Sequence, residues 1–261
     1  MNLIWGGQVI DLMNTGITAT VGSMSPEQIF TNYARHIGIG GIATAGIIGI
    51  IKSFGVIKSA VGLAANELTR KKSGDEAKVI RTQRDISMKV IAIGIAITLA
   101  AVFVFFALGV VDNIWHAVVG LLIVGVIAFL FTTVAANAIA IVGSNPVSGM
   151  TLMTLILASL IMVACGLNGT AGMTAALIIG GVVCTALSVA GALVTDLKIG
   201  YWIGSTPKVQ ETWKFLGTLV AAATVGGVML VLNKTYGFTG ENALVAPQAN
   251  AMVAVIEPMM N

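Results

Sequence analysis

Residues 194–217 read VTDLKIGYWIGSTPKVQETWKFLG and gather much of the chain's reactive chemistry. Asp196 and Lys198 come first, Lys208, Glu211 and Lys214 follow, and Tyr201, Trp202, Trp213 and Pro207 lie among them. Carboxylates and amines this close can form ion pairs, pass protons or hold a charged ligand. An apolar run of 22 residues ends just before the stretch, and another of 18 begins near its end. Asp196 thus falls within a turn of an apolar segment, where an ionisable side chain is a functional candidate. Lys198 is its nearest partner in sequence. A plainer reading also stands: a connecting loop with Tyr and Trp as interfacial anchors and lysines reaching for water.

Two further stretches carry polar groups among apolar ones. GSNPVSGMT, residues 143–151, joins two strongly apolar segments and brings Asn145 and Ser148 beside Pro146. It fits an ordinary tight turn, and equally a helix broken at membrane depth. Unwound backbone is tolerated there only where protein or a water-filled cavity covers it. Its free carbonyls and helix ends then bind substrates and ions. Upstream, Thr132, Thr133 and Asn137 extend a polar line toward Asn145. The tail ENALVAPQANAMVAVIEPMMN, residues 241–261, reads as an outer segment and the start of a further span, with Glu257 in or near the membrane. His36 and His116 each sit alone at a span end, and Cys165 and Cys184 lie within apolar runs as packing residues. No metal, nucleophile-elbow or phosphate-loop pattern occurs, which argues against an enzyme and implies neither a cofactor nor a metal.

The elements that must position these groups are membrane helices. Of 261 residues 57% are hydrophobic and 10% charged, against about 25% charged in soluble domains. The net charge of +3 forms no nucleic-acid patch. The expected class is an all-α, polytopic membrane bundle forming a single membrane domain over 1–261, with the lipid bilayer as its solvent. A bilayer core of about 30 Å takes roughly 20 apolar residues per helix. Six segments approach that length, at 36–57, 90–111, 117–142, 150–166, 173–194 and 215–232, and broken or re-entrant helices can occur among them. The fourth, with 17 residues, is a short span or half of a broken one. Gly41, Ala45 and Gly49 form one small-residue ridge, and Gly180, Gly181, Ala186, Ala190 and Gly191 thin another helix. Small faces let helix backbones approach closely in lipid.

Charge orients the bundle. Residues 66–89 hold seven Lys/Arg and four Asp/Glu, and short basic loops stay cytoplasmic. With 66–89 inside, the helix-break loop 143–149 and the junction 195–214 also fall inside, while 1–35 and 233–261 fall outside. Twelve Lys/Arg then lie at the inner face, and only Arg35 and Lys234 at the outer.

The blocks YARHIGIGG (33–41), SNPVSGMT (144–151), TDLKIGYWIGSTPKVQ (195–210) and APQANAM (246–252) resemble, in the same order, those of the oligopeptide transporter (OPT) family, bacterial branch. The third block is the most specific. Family members are more than twice this length, so the chain is similar to an interior-to-late portion of one. The resemblance implies a proton-coupled secondary transporter in a bacterial inner membrane that takes small peptides or metal chelates. Such a transporter needs polar groups at broken helices and a carboxylate in low dielectric, so the expected substrate contacts are Asn137, Asn145, Ser148, Tyr201 and Gln248, and the expected proton carrier is Asp196 or Glu257. Implied partners are the substrate, protons, and either the remaining portion of the transporter or further copies of this chain. A channel, or a non-transporting fragment or assembly subunit of a split transporter, has the same composition.

Overall fold

The structure, a computed structural model, describes residues 6–11, 18–52, 54–69, 80–111, 113–238 and 246–260. Among them every regular element is helical. After a short turn at Pro26–Ile29 and a π-helical stretch at Phe30–Ala34, the helices are α1 (Arg35–Lys52), α2 (Phe54–Thr69), α3 (Met88–Gly109), α4 (Ile114–Val142), α5 (Val147–Ala164), α6 (Gly169–Ile203), α7 (Pro207–Thr235) and α8 (Pro247–Met260). Four of them, α3, α4, α6 and α7, are long and apolar enough to cross a membrane.

The expected segment 36–57 resolves into two helices. The axis over Pro26–Gly49 and that over Phe54–Leu63 differ by 51°, the geometry of a broken span or of a re-entrant loop. The expected segment 150–166 is α5, whose apolar part Gly149–Ala164 is shorter than the others. The charged loop 66–89 is shorter than its sequence implies. Helix α2 runs to Thr69 and α3 starts at Met88, while 70–79 lies outside the described residues. Asn145 and Pro146 end up in a turn of four residues between α4 and α5. Gly143, at φ 77°, closes α4 in the left-handed region that glycine enters without cost.

The largest revision concerns 195–214. Its loss of hydropathy predicts a loop, yet α6 continues to Ile203 and α7 starts at Pro207. Charge alone does not end a helix. Gly204 does, at φ 71°, and Pro207 occupies the first turn of the next helix, where its missing N–H costs nothing.

The core lies on α4, α5 and α6, with α8 and part of α3 against it. Leu155, Met162, Ile179, Val183, Leu187 and Ile256 are fully buried there. Helix α5 is the most enclosed, and its buried Thr151 and Thr154 hydroxyls donate to carbonyls one turn back in the same helix, at 2.7 and 2.9 Å. By contrast α7 carries Phe215, Leu219, Val225 and Leu230 exposed, as a lipid-facing helix does. The expected small-residue ridge on α1 shifts by a residue. Nothing lies within 4 Å of a methyl group built on Gly41 or Gly49, whereas one on Gly46 would meet Met153 Cγ at 2.6 Å.

Candidate functional site

Helix α6 has two working faces. At about 100° per residue, Ala176, Gly180, Val183, Leu187 and Gly191 share one stripe, and Val189, Leu193, Asp196 and Gly200 share a stripe roughly opposite. The first stripe faces the core and receives the turn between α4 and α5. Asn145 Nδ2 donates to the Leu187 carbonyl at 3.3 Å. The Asn145 side chain lies so close over Gly191 that any Cβ there would overlap it.

The second stripe meets α7. Lys214 Nζ pairs with Asp196 Oδ2, and the two side chains are 26% and 48% exposed. The expected partner Lys198 turns away and lies over the Tyr201 and Trp202 rings, at 5.5 and 5.4 Å from their centroids. That contact suits interfacial aromatics holding a cation at the membrane surface. Nearer the turn, the Gln210 side chain covers Gly200.

A third segment, distant in sequence, clamps this hairpin. Arg81 Nη2 donates to the Gly204 carbonyl at 2.9 Å, a cation at the negative end of α6. The Arg84 carbonyl accepts from Lys208 N at 2.9 Å, satisfying one free N–H of the first turn of α7. Glu211 Oε2 accepts from Ile86 N at 3.0 Å. Residues 81, 84 and 86 thus meet 204, 208 and 211 in order. Glu211→Ala should leave the Ile86 N–H without its acceptor and cost about 1.5–3 kcal/mol. Hydrogen exchange should show it as faster exchange at Ile86, with the middle of α6 unchanged.

The structure therefore brings Asn145, Asp196 and Tyr201 to one end of α6, on different faces. Asn137 is half-buried in α4, and Gln248 is exposed in the first turn of α8. Ser148 is the second residue of α5, and its side chain lies outside what the structure describes. Glu257 is remote from Asp196. It is exposed on α8, one turn before Met260, and a methyl group on Gly172 at the start of α6 would meet Met260 Sδ at 2.7 Å. Gly172 and Asp196 are 24 residues apart on one helix, or roughly 36 Å. The two carboxylates cannot share one proton site. At Gly172's end, His116 Nε2 lies 3.2 Å from the Cys165 carbonyl, joining α4 to the end of α5.

Sequence reasoning missed Arg81, Ile86 and Gln210, and the partner of Glu211. Their partners lie far off in sequence or across the hairpin, and no local pattern marks them. The only signal was the basic character shared by 66–89 and 195–214.

A bundle of apolar helices, one of them bent, with an ion pair at a helix hairpin and a polar turn docked beside it, defines a multi-pass membrane protein. The chain belongs to the family described as "OPT oligopeptide transporter protein", which matches residues 2–261. That is a family of transporters, not of enzymes, and its members span the plasma membrane several times. A Haemophilus influenzae (strain ATCC 51907 / DSM 11121 / KW20 / Rd) protein named "Putative oligopeptide transporter" is 27% identical over 258 residues, covering 88% of this chain and 40% of that protein. The chain thus spans about two-fifths of the length of this curated relative. No solved structure matches it.

Proposed function

We propose that this chain is the portion of a proton-coupled oligopeptide transporter that carries the link between proton and substrate. It works in a bacterial inner membrane, together with the remaining portion of the transporter or with further copies of itself. The observation that carries this reading is the two-faced α6. Its core face holds the Asn145 turn, and its outer face holds Asp196 against Lys214. A rigid helix bonded on both faces can transmit a change at one to the other.

Substrate binds at the broken-helix turn through Asn145, with Asn137 behind it and Ser148 and exposed backbone beside it. Tyr201 and Gln248 complete the binding set. Protonation of Asp196 removes the charge that holds Lys214. The α6–α7 hairpin then loosens from the 81–86 clamp, and the inner gate opens. Glu257, at the other end of α6, receives the proton on the outer side. Supporting this orientation, 81–86, 143–146 and 204–211 gather at one end of the bundle, while His116 and Cys165 meet at the other. One proton crossing 100 mV supplies about 2.3 kcal/mol, enough for roughly fiftyfold accumulation of a neutral substrate.

Metal chelates are the second substrate class of this reading, since an amide-lined turn accepts either. The test is uptake by vesicles containing the complete transporter. Asp196→Asn with Glu257→Gln should abolish proton-driven peptide uptake while counterflow exchange of bound substrate persists. Undiminished uptake removes both carboxylates from the mechanism.

A further inference from the structure

We propose that the cavity between α3, α6 and α7 is a binding site for an anionic phospholipid. An acyl chain lies along its apolar wall, and the phosphate rests on Arg84 and Lys208. The cavity measures about 620 Å³, and Ile91, Leu193, Phe215 and Leu219 dominate its wall. Thr98 and Thr218 also line it, but their hydroxyls already donate to the Gly94 and Lys214 carbonyls, at 2.9 and 2.8 Å. The wall therefore offers a peptide no free hydroxyl donor. A peptide's amides would lie there unsatisfied, at a cost of several kcal/mol in hydrocarbon, whereas an acyl chain asks for nothing polar.

The charges at one end of the cavity decide the headgroup. Glu211 and Lys214 line it, but each is already engaged, with Ile86 N and with Asp196. Arg84 and Lys208 differ. They meet each other only through the main chain, Lys208 N donating to Arg84 O at 2.9 Å, and both residues are exposed. Neither cationic head has a partner among the described residues. Arg84 is two residues from the lining Ile86, and Lys208 is one turn from the lining Glu211, so both residues lie beside the same end of the cavity. Lys89 adds a cation nearby, and Asp85 is the opposing exposed carboxylate. Trp202 and Trp213, 71% and 65% exposed, sit at this end and mark it as headgroup level. Two cations without a partner among the described residues, each worth about 1 kcal/mol toward an anionic lipid, predict a preference of roughly tenfold or more over a zwitterionic one.

The experiment incubates the purified full-length chain, in detergent, with equimolar phosphatidylglycerol and phosphatidylcholine and counts retained lipids by native mass spectrometry. The expected result is one phosphatidylglycerol per chain, in roughly tenfold excess over phosphatidylcholine. Arg84→Gln with Lys208→Gln should bring the two lipids to parity, since it leaves the main-chain bond intact. Thr98→Phe, which fills the cavity, should remove both. If the double variant does not fold, the wild-type chain at about 1 M salt, where the Debye length is near 3 Å, should lose the preference instead. Equal retention of the two lipids, no retention at all, or an excess that survives neutralisation or salt would overturn the proposal. Displacement of the lipid by inorganic phosphate alone would also overturn it, because the site would then be one for a free anion.

Discussion

Gly191→Ala should destabilise the chain by about 2–4 kcal/mol, while Gly181→Ala, ten residues earlier on the same helix, should leave it unchanged. A methyl group at Gly191 would overlap the Asn145 side-chain amide and lie 2.9 Å from Ile139 Cδ1, whereas at Gly181 it would meet nothing within 4 Å. Overpacking a filled contact costs about 1–3 kcal/mol. Displacing Asn145 also loses its bond to the Leu187 carbonyl, worth about 1 kcal/mol. Thermal unfolding in detergent measures both variants. The effect should shrink sharply in an Asn145→Ala background, where the new methyl group has room. A coupling of about 1 kcal/mol or more between the two sites would show that the turn rests on this glycine. Equal losses at Gly181 and Gly191 would mean that α6 tolerates no added bulk anywhere, and the specific contact would lose its standing.

Asp196→Asn and Lys214→Met should each lower uptake by roughly tenfold or more, a change of at least about 1.4 kcal/mol in the rate-limiting barrier. Stability should hardly move. The pair is 26% and 48% exposed, and exposed pairs contribute only about 0–1 kcal/mol. That separation between transport and stability is what distinguishes a gate from a structural brace. Exchanging the charges, Asp196→Lys with Lys214→Asp, should restore the closed gate. It should not restore proton coupling, because the carboxylate then sits on α7. A swap that restores full proton-driven uptake would show that the pair's attraction matters and the position of the proton does not.

The membrane class was legible because apolar runs of helix length leave no other solvent. So was a break within 143–149, which the structure narrows to the four residues from Gly143 to Pro146. The bend between Gly49 and Phe54 was not legible, because IIGIIKSFGVIKS resumes its apolar run after Lys52 and holds no proline to mark a break. The extent of α6 was not legible, because Asp196 and Lys198 mark only where its surroundings become polar and do not end the helix. Lys198 was the nearest amine to Asp196 along the chain, but only two residues away, a spacing that puts helix side chains on different faces. Lys214 reaches Asp196 because the Gly204–Thr206 turn folds α7 back along α6. Asp196 and Glu257 were equal candidates in sequence. Only the packing of Met260 beside Gly172 puts them at opposite ends.

One flux measurement tests the coupling of peptide to protons most directly. Vesicles holding the complete transporter are loaded with labelled peptide at the outside concentration, and a proton gradient is then imposed, acid outside. Peptide should accumulate against its own gradient, peptide entry should carry protons in with it, and a protonophore should stop both. Peptide that merely equilibrates, with or without the proton gradient, would describe a channel and contradict the coupling assigned to α6.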